Sequence, residues 1–191
     1  MSIATRRGDS GKTDLIGRIR VSKSDARVET YGTVDELAAQ IGFARSICED
    51  DEVGTLCKDL QRDLFKVGAA IATPPASKVP APEIDAAMLA RLDAEVARIE
   101  ALPGIVGDWT LPGDLAPAAA LDVARTTCRR AERAAVRLRE SGEALQDAVL
   151  TYLNRLSDLL WLLGRLLEVR AGVDSRLRPH DKPGKPWSRA W

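Results

Sequence analysis

Apolar positions recur at helical spacing along almost the whole of this 191-residue chain, and they divide it into five segments. In the first, Leu37, Ile41, Ala44 and Cys48 follow Thr33 and Glu36, whose spacing is that of a capping box with Thr as N-cap and Glu at N3. The second runs through Val53, Leu56, Leu60, Leu64, Val67 and Ile71, and stops at Pro74-Pro75. A proline-rich loop, "TPPASKVPAPE", precedes a third segment marked by Ile84, Met88, Leu92, Val96 and Ile99, which ends at Pro103-Gly104. The loop "GIVGDWTLPGDLAP" leads to the most regular stripe: Leu121, Ala124, Cys128, Ala131, Ala135 and Leu138 alternate steps of three and four. The fifth segment, "ALQDAVLTYLNRLSDLLWLLGRLLEVR", is long and strongly apolar. Runs of alternating, β-rich character are nearly absent. The pattern predicts an all-α antiparallel five-helix bundle, with one domain over 1–171 and a Pro/Arg-rich tail of little regular structure over 172–191.

Composition narrows the possible roles. Lys plus Arg is 28 and Asp plus Glu is 28, and a balanced charge argues against nucleic acid as the partner. No apolar run reaches the length of a membrane span, and "MSIATRRGDS" lacks the apolar core of a secretory signal. Three cysteines, Cys48, Cys57 and Cys128, without CxxC spacing point to a reducing, cytoplasmic setting and to small core side chains. The single histidine, His180, lies in the tail, so Ser-His-Asp triads, Cys-His pairs and His-based metal centres are excluded. An enzyme with this inventory must do chemistry that needs no imidazole.

Near the start, "RRGDSGKTDL" contains GKT, but a phosphate loop of the G-x-x-x-x-G-K-[ST] type needs glycine where Arg6 stands, and a buried strand before it. The RGD tripeptide has no extracellular context. What remains is a Gly-, Ser- and Thr-bearing cationic segment able to wrap an anion with backbone N–H groups. Further cationic side chains, Lys23 and Arg27, follow in "RVSKSDARVE". On the fourth segment Arg125, Arg129 and Arg133 share one face at i, i+4 and i+8. Two readings fit that stripe: an interhelical salt-bridge network using Glu132, Asp35 or Asp158, or a polyphosphate site, since Arg binds phosphate bidentately. In "YLNRLSD", Asn154, Ser157 and Asp158 interrupt an apolar helix. They are either exposed on its outer face or part of a buried polar network. Trp109, read alone, is a loop anchor packed on the bundle.

Taken together, "TRRGDSGKTDL", "RVSKSDARVETYGTVDEL", "LPGDLAPAAALDVARTTCRRAER" and "YLNRLSDLLW" resemble the PduO-type ATP:cob(I)alamin adenosyltransferases, in the family's order, from about Thr5 to about Arg170. The resemblance implies a homotrimeric five-helix bundle of the ferritin-like, cobalamin adenosyltransferase-like kind, with active sites between subunits. It implies transfer of the 5′-deoxyadenosyl group of ATP to cob(I)alamin, giving adenosylcobalamin and triphosphate. A reductase and an adenosylcobalamin-dependent acceptor enzyme are the implied partners. By motif, an N-terminal loop over 5–27 brings Thr5, Arg6, Arg7, Gly8, Thr13, Asp14 and Lys23 to ATP and Mg²⁺. Arg129, Arg130, Glu132, Arg133 and Asn154 complete the nucleotide site, while Asp35 pairs with Arg125. Trp109 stands where the family has a phenylalanine that displaces the lower axial ligand of cobalt.

The chain departs from the family pattern at Arg7 (for Thr), Ala38 (for Asn), Asp114 (for the second Gly of "LPGG") and Asp122 (for His). The departures gather on the corrinoid side. An alternative therefore stays open: a catalytically impaired relative that binds ATP or corrinoid as a carrier, sensor or partner subunit. A purely structural helical oligomer is the third reading.

Overall fold

Aspartates start three of the five helices. In a computed structural model that describes Ala4 and residues 6–178, α1 spans Ala26–Ser46, and the Asp25 side chain accepts from the Arg27 N–H. Asp50 does the same for Val53 at the head of α2 (Asp51–Ile71), and Asp85 for Met88 at the head of α3 (Ala86–Glu100). Helix α4 (Ala116–Glu140) carries Pro117 in its first turn, where the missing N–H costs nothing. Helix α5 (Asp147–Ala171) ends on Gly172 at φ 66°, a left-handed cap.

Side by side the helices run α2–α1–α4–α5–α3, because α1 packs on α2 and α4, and α5 packs on α4 and α3. The predicted stripes are the ones that meet. Leu37 and Ile41 of α1, Leu64 and Val67 of α2, Ala124, Cys128 and Ala135 of α4, and Leu153 and Leu156 of α5 are all at most 1% exposed. The all-α bundle is as expected; its first helix is not. Thr33 and Glu36 do not cap it. They lie inside α1, which begins two turns earlier, and Thr33 donates its hydroxyl to Glu29 O instead. The Asp25 cap outcompetes the later capping box because the turns before Thr33 pack into the bundle, with Arg27 and Thr30 buried, and this offsets the weak helix propensity of Gly32.

Before α1, the segment expected to be a loop forms an antiparallel hairpin, β1 (Lys12–Leu15) with β2 (Ile19–Ser22), in the register Thr13 to Val21 and Asp14 to Arg20. It is docked on the end of α2. The Ile16 N–H donates to Ala72 O at 3.0 Å, and Leu15 is buried. At the turn Gly17 takes φ 90°, and a Cβ there would meet Ser77 Oγ at 2.5 Å, so glycine is required by conformation and by space. Arg27 ties the same corner together. Only 2% exposed, it donates to Ile71 O (2.8 Å), to Glu143 (2.8 Å) and to Ala144 O (3.1 Å), joining α1 to the end of α2 and to the α4–α5 loop. It is a structural cation rather than a free one.

Because Arg27 serves two buried carbonyls and a carboxylate, Arg27→Ala is expected to cost about 2–4 kcal/mol of unfolding free energy. Urea denaturation checks this; a loss below about 0.5 kcal/mol would contradict the role given to Arg27.

Candidate functional site

The N-terminal end of the site is built on the hairpin. Asp14 accepts from Arg7 at 3.0 Å and from Arg20 at 3.4 Å, and Arg20 also donates to the Arg7 carbonyl. Residues 6–11 turn tightly ahead of β1, with Arg6 at φ 56° and Gly11 at φ 73°, and the Lys23 N–H closes the segment onto Gly11 O at 2.8 Å. Lys23 lies across Gly8: a Cβ on Gly8 would stand 3.1 Å from the ammonium. Arg6, Arg7, Gly8, Thr13, Asp14 and Lys23 are therefore gathered in one small cationic lobe. Thr5 lies outside the described residues, as do His180, Trp187 and Trp191 of the tail.

Helix α4 supplies the second part. Its small stripe Ala124, Cys128, Ala131, Ala135 faces the core, which rotates Arg129 and Arg133 outward to exposed positions. Among the described residues neither makes an ion pair. Arg125 differs: half-buried, it is held by Asp122 one turn earlier at 2.7 Å and does not pair with Asp35, which lies exposed on α1. Within the chain that expected contact is replaced by the local one, because the residue at 122 is an acid three positions away on the same helix face. Arg130 pairs with Glu36 of α1 at 2.5 Å. Glu132 does not pair with Arg129; it accepts from Asn154 of α5 at 3.2 Å. The interior network is not formed, since Asn154 and Asp158 are exposed and only Ser157 is buried, donating to Asn154 O. The interhelical salt-bridge reading of the stripe is not met: Arg125 pairs within α4 with Asp122, and Arg129 and Arg133 make no ion pair among the described residues.

Asp158 is exposed by surface area yet crowded by its neighbours. Desolvation raises its carboxyl pKa, Arg129 opposes the rise, and Glu132 and Glu100 add to it. Burial pushes the Cys57 thiol up to about 12, and raises Cys128 as well, so both cysteines are core side chains, inert at neutral pH. Cys48 is half-buried, and all three are free thiols.

The third part is a cleft between the head of α4, the second half of α5 and the loop before α4. It is lined by Thr110, Pro112, Asp122, Trp161, Arg165 and Glu168, among others. Arg165 and Glu168 form a buried ion pair one turn apart on α5. Trp109 is half-buried next to Thr110. Sequence reasoning passed over Trp161, Arg165 and Glu168, although a charged pair at i, i+3 inside "LLWLLGRLLEV" was the available signal. It also missed the ordering of 173–178, a stretch expected to be irregular. Here Thr110 and Arg176 pair as an antiparallel bridge. No group of three or more His, Cys, Asp or Glu among the described residues is arranged to hold a metal. Mg²⁺ suits that setting only as a companion of phosphate oxygens, its usual mode. No helix among the described residues is long and apolar enough to cross a membrane.

Fold and site define a five-helix bundle that presents unpaired arginines on one helix, a cationic turn at its N-terminus and a cleft beside a tryptophan-bearing loop. Residues 3–167 match the family described as cobalamin adenosyltransferase. A cobalamin adenosyltransferase from Cupriavidus metallidurans is 42% identical over 176 residues, 91% of each chain. The corrinoid adenosyltransferase PduO of Salmonella typhimurium is 39% identical over 172 residues, 86% of this chain and 49% of that protein, so the chain spans about half of that relative. Among solved structures, a variant PduO-type ATP:corrinoid adenosyltransferase from Lactobacillus reuteri, complexed with cobalamin and ATP, matches with a TM-score of 0.86 at 31% identity, over 95% of this chain and 99% of that one. The chain belongs to the cobalamin adenosyltransferase family.

Since Arg129 lowers the Asp158 pKa against desolvation, Arg129→Ala is expected to raise it further, by an amount readable in a carboxyl NMR titration. An unchanged midpoint would show that the two do not interact across the α4–α5 face.

Proposed function

We propose that this protein transfers the 5′-deoxyadenosyl group of ATP to cob(I)alamin, releasing adenosylcobalamin and inorganic triphosphate. The observation that carries the reading is the pair Arg129 and Arg133, two exposed guanidiniums on α4 with no ion-pair partner among the described residues, in a chain of this family. Two like charges one helical turn apart repel, and a triphosphate relieves that repulsion while accepting bidentate hydrogen bonds. In this reading the lobe of Arg6, Arg7, Gly8, Thr13, Asp14 and Lys23, with Thr5, folds over the phosphates together with Mg²⁺. Glu132 and Asn154, already bonded to each other, hold the nucleoside end, and Arg130 steadies the face through Glu36.

The step forms a Co–C bond and breaks the C5′–O bond, and the electron pair leaves on the triphosphate oxygen. No proton moves, so no imidazole is needed. What the chain supplies is orientation and charge neutralisation of the leaving group. Trp109 and the loop that carries it border the corrin. Asp35 is exposed and makes no ion pair among the described residues, which fits a homotrimer whose sites lie between subunits, where Asp35 works with Arg125. A reductase delivers the electrons and an acceptor enzyme receives the product, in the cytoplasm.

One observation favours a second reading, an impaired relative that binds ATP without turnover: the Asp122 carboxylate already occupies Arg125.

Anaerobic mixing of cob(II)alamin, a strong reductant, MgATP and protein decides between the two. The first reading expects adenosylcobalamin to accumulate, and Arg129→Ala to lower kcat by at least about 100-fold. Tight ATP binding without product would leave the second reading, and near-wild-type turnover by Arg129→Ala would remove the clamp role.

A further inference from the structure

We infer that Arg178 and Asp108 are positioning residues for the corrinoid side of the site, acting through a short strap, residues 173–178, that fixes the loop carrying Trp109. The inference rests on the adenosyltransferase reading above, in which Trp109 borders the corrin. The strap leaves α5 at the Gly172 cap, with the Val173 N–H closing onto Glu168 O at 2.9 Å. It then runs antiparallel to the loop. The Leu111 N–H donates to Ser175 O at 2.8 Å, the Leu177 N–H donates to Trp109 O at 2.7 Å, and Thr110 lies opposite Arg176.

The strap ends on a charge-assisted contact. Arg178 reaches Asp108 Oδ1 with Nη2 at 2.7 Å and Nε at 3.0 Å, and the same oxygen accepts the Trp109 N–H at 2.8 Å. The Asp108 side chain is only 11% exposed and that of Arg178 31%. One carboxylate oxygen thus ties the strap's end to the backbone of Trp109.

The loop needs such an anchor. From 101 to 115 the chain has no helix or strand of its own; Ile105 is buried in the core, but Val106 and Leu111, on either side of Asp108 and Trp109, remain exposed. Its backbone bonds to the bundle would otherwise be left to water. Directly behind the pinned residues, Thr110 and Pro112 form one wall of the cleft whose other wall carries Trp161, Arg165 and Glu168. Glu168 also lends its carbonyl to Val173, so strap, loop and cleft share one frame. Displacing the strap would shift Trp109 and Thr110, and with them the surface that borders a flat macrocycle in the adenosyltransferase reading. The hairpin lobe and Arg129, on other elements, are not touched by it. Arg178 and Asp108 act on the site through Trp109 and Thr110, and neither is a catalytic residue.

Three measurements on the full chain test this, with Arg178→Ala, Asp108→Asn and the reversal Asp108→Arg/Arg178→Asp. In the ligand-free protein, hydrogen exchange at the Leu111 and Leu177 amides is expected to accelerate in both single variants and to slow again in the reversal. The KM for cob(I)alamin is expected to rise by about tenfold in the single variants, the size of one charge-assisted bond, with the KM for ATP unchanged. Rescue by the reversal separates an ion pair from mere bulk. Unchanged exchange, or faster exchange with an unchanged corrinoid KM, overturns the inference, as does an equal rise in both KM values, which would mark a general loss of structure. If the wild-type chain forms no adenosylcobalamin, the adenosyltransferase reading fails first and this inference falls with it. Wild-type turnover matched by the single variants sinks the inference alone.

Discussion

Helix α4 has to be apolar and small on one side and cationic on the other, and the site follows from that constraint. Ala124, Cys128, Ala131 and Ala135 are fully buried, so α1 and α5 can close on α4 with little side-chain bulk between them. The same rotation sets Arg129 and Arg133 outward on the opposite edge, where neither closes an ion pair among the described residues, although Arg129 is near enough to Asp158 to favour its charged form. Their neighbours Arg125 and Arg130 are both neutralised, by Asp122 and Glu36. Among the described residues Arg129, Arg133 and Arg137 of α4 make no ion pair, at successive turns, and positive charge held on a rigid helix is what a polyphosphate leaving group requires.

The other parts of the site are held by anchors that lie away from the chemistry. Ile16 and Gly17 hold the N-terminal hairpin against the end of α2, and Arg27 fixes α1 to that same end and to the loop between α4 and α5. At the far end, Gly172 lets the chain reverse after α5 and lie along the loop that carries Trp109. Two irregular segments, the turn 6–11 and the largely exposed loop 101–115, are thereby given fixed positions. The helices provide the frame, and a few hydrogen bonds at their ends decide where the reactive pieces stand.

Most of the bundle was readable from the spacing of Leu, Ile, Val and Ala, because core helices leave a 3.6-residue stripe whatever the tertiary detail. The start of α1 was not. Asp25 and Thr33 both lie before helix-forming runs, and packing of Arg27 and Thr30 into the bundle selected the earlier one. The hairpin 12–22 was hidden for a different reason. Its strands are four residues each, too short for alternation to stand out, and its turn depends on contact with Ser77. Among site residues, the cationic group at 6–23 and the Arg129/Arg133 face could be named from motif and spacing. The partner of Arg125 could not, because Asp122 and Asp35 are both at plausible spacing and only the folded helix chooses Asp122. The strap 173–178 carries no periodic signal; its order comes from pairing with a loop distant in sequence.

The central claim is that leftover charge on α4, together with the N-terminal lobe, recognises the triphosphate itself. Calorimetric titration of the protein with inorganic triphosphate and Mg²⁺ tests it without any corrinoid chemistry. The account predicts that triphosphate binds, competes with ATP, and weakens steeply as ionic strength rises or when Arg133 is replaced by Ala. Absence of binding, or an affinity indifferent to both salt and Arg133, would contradict it.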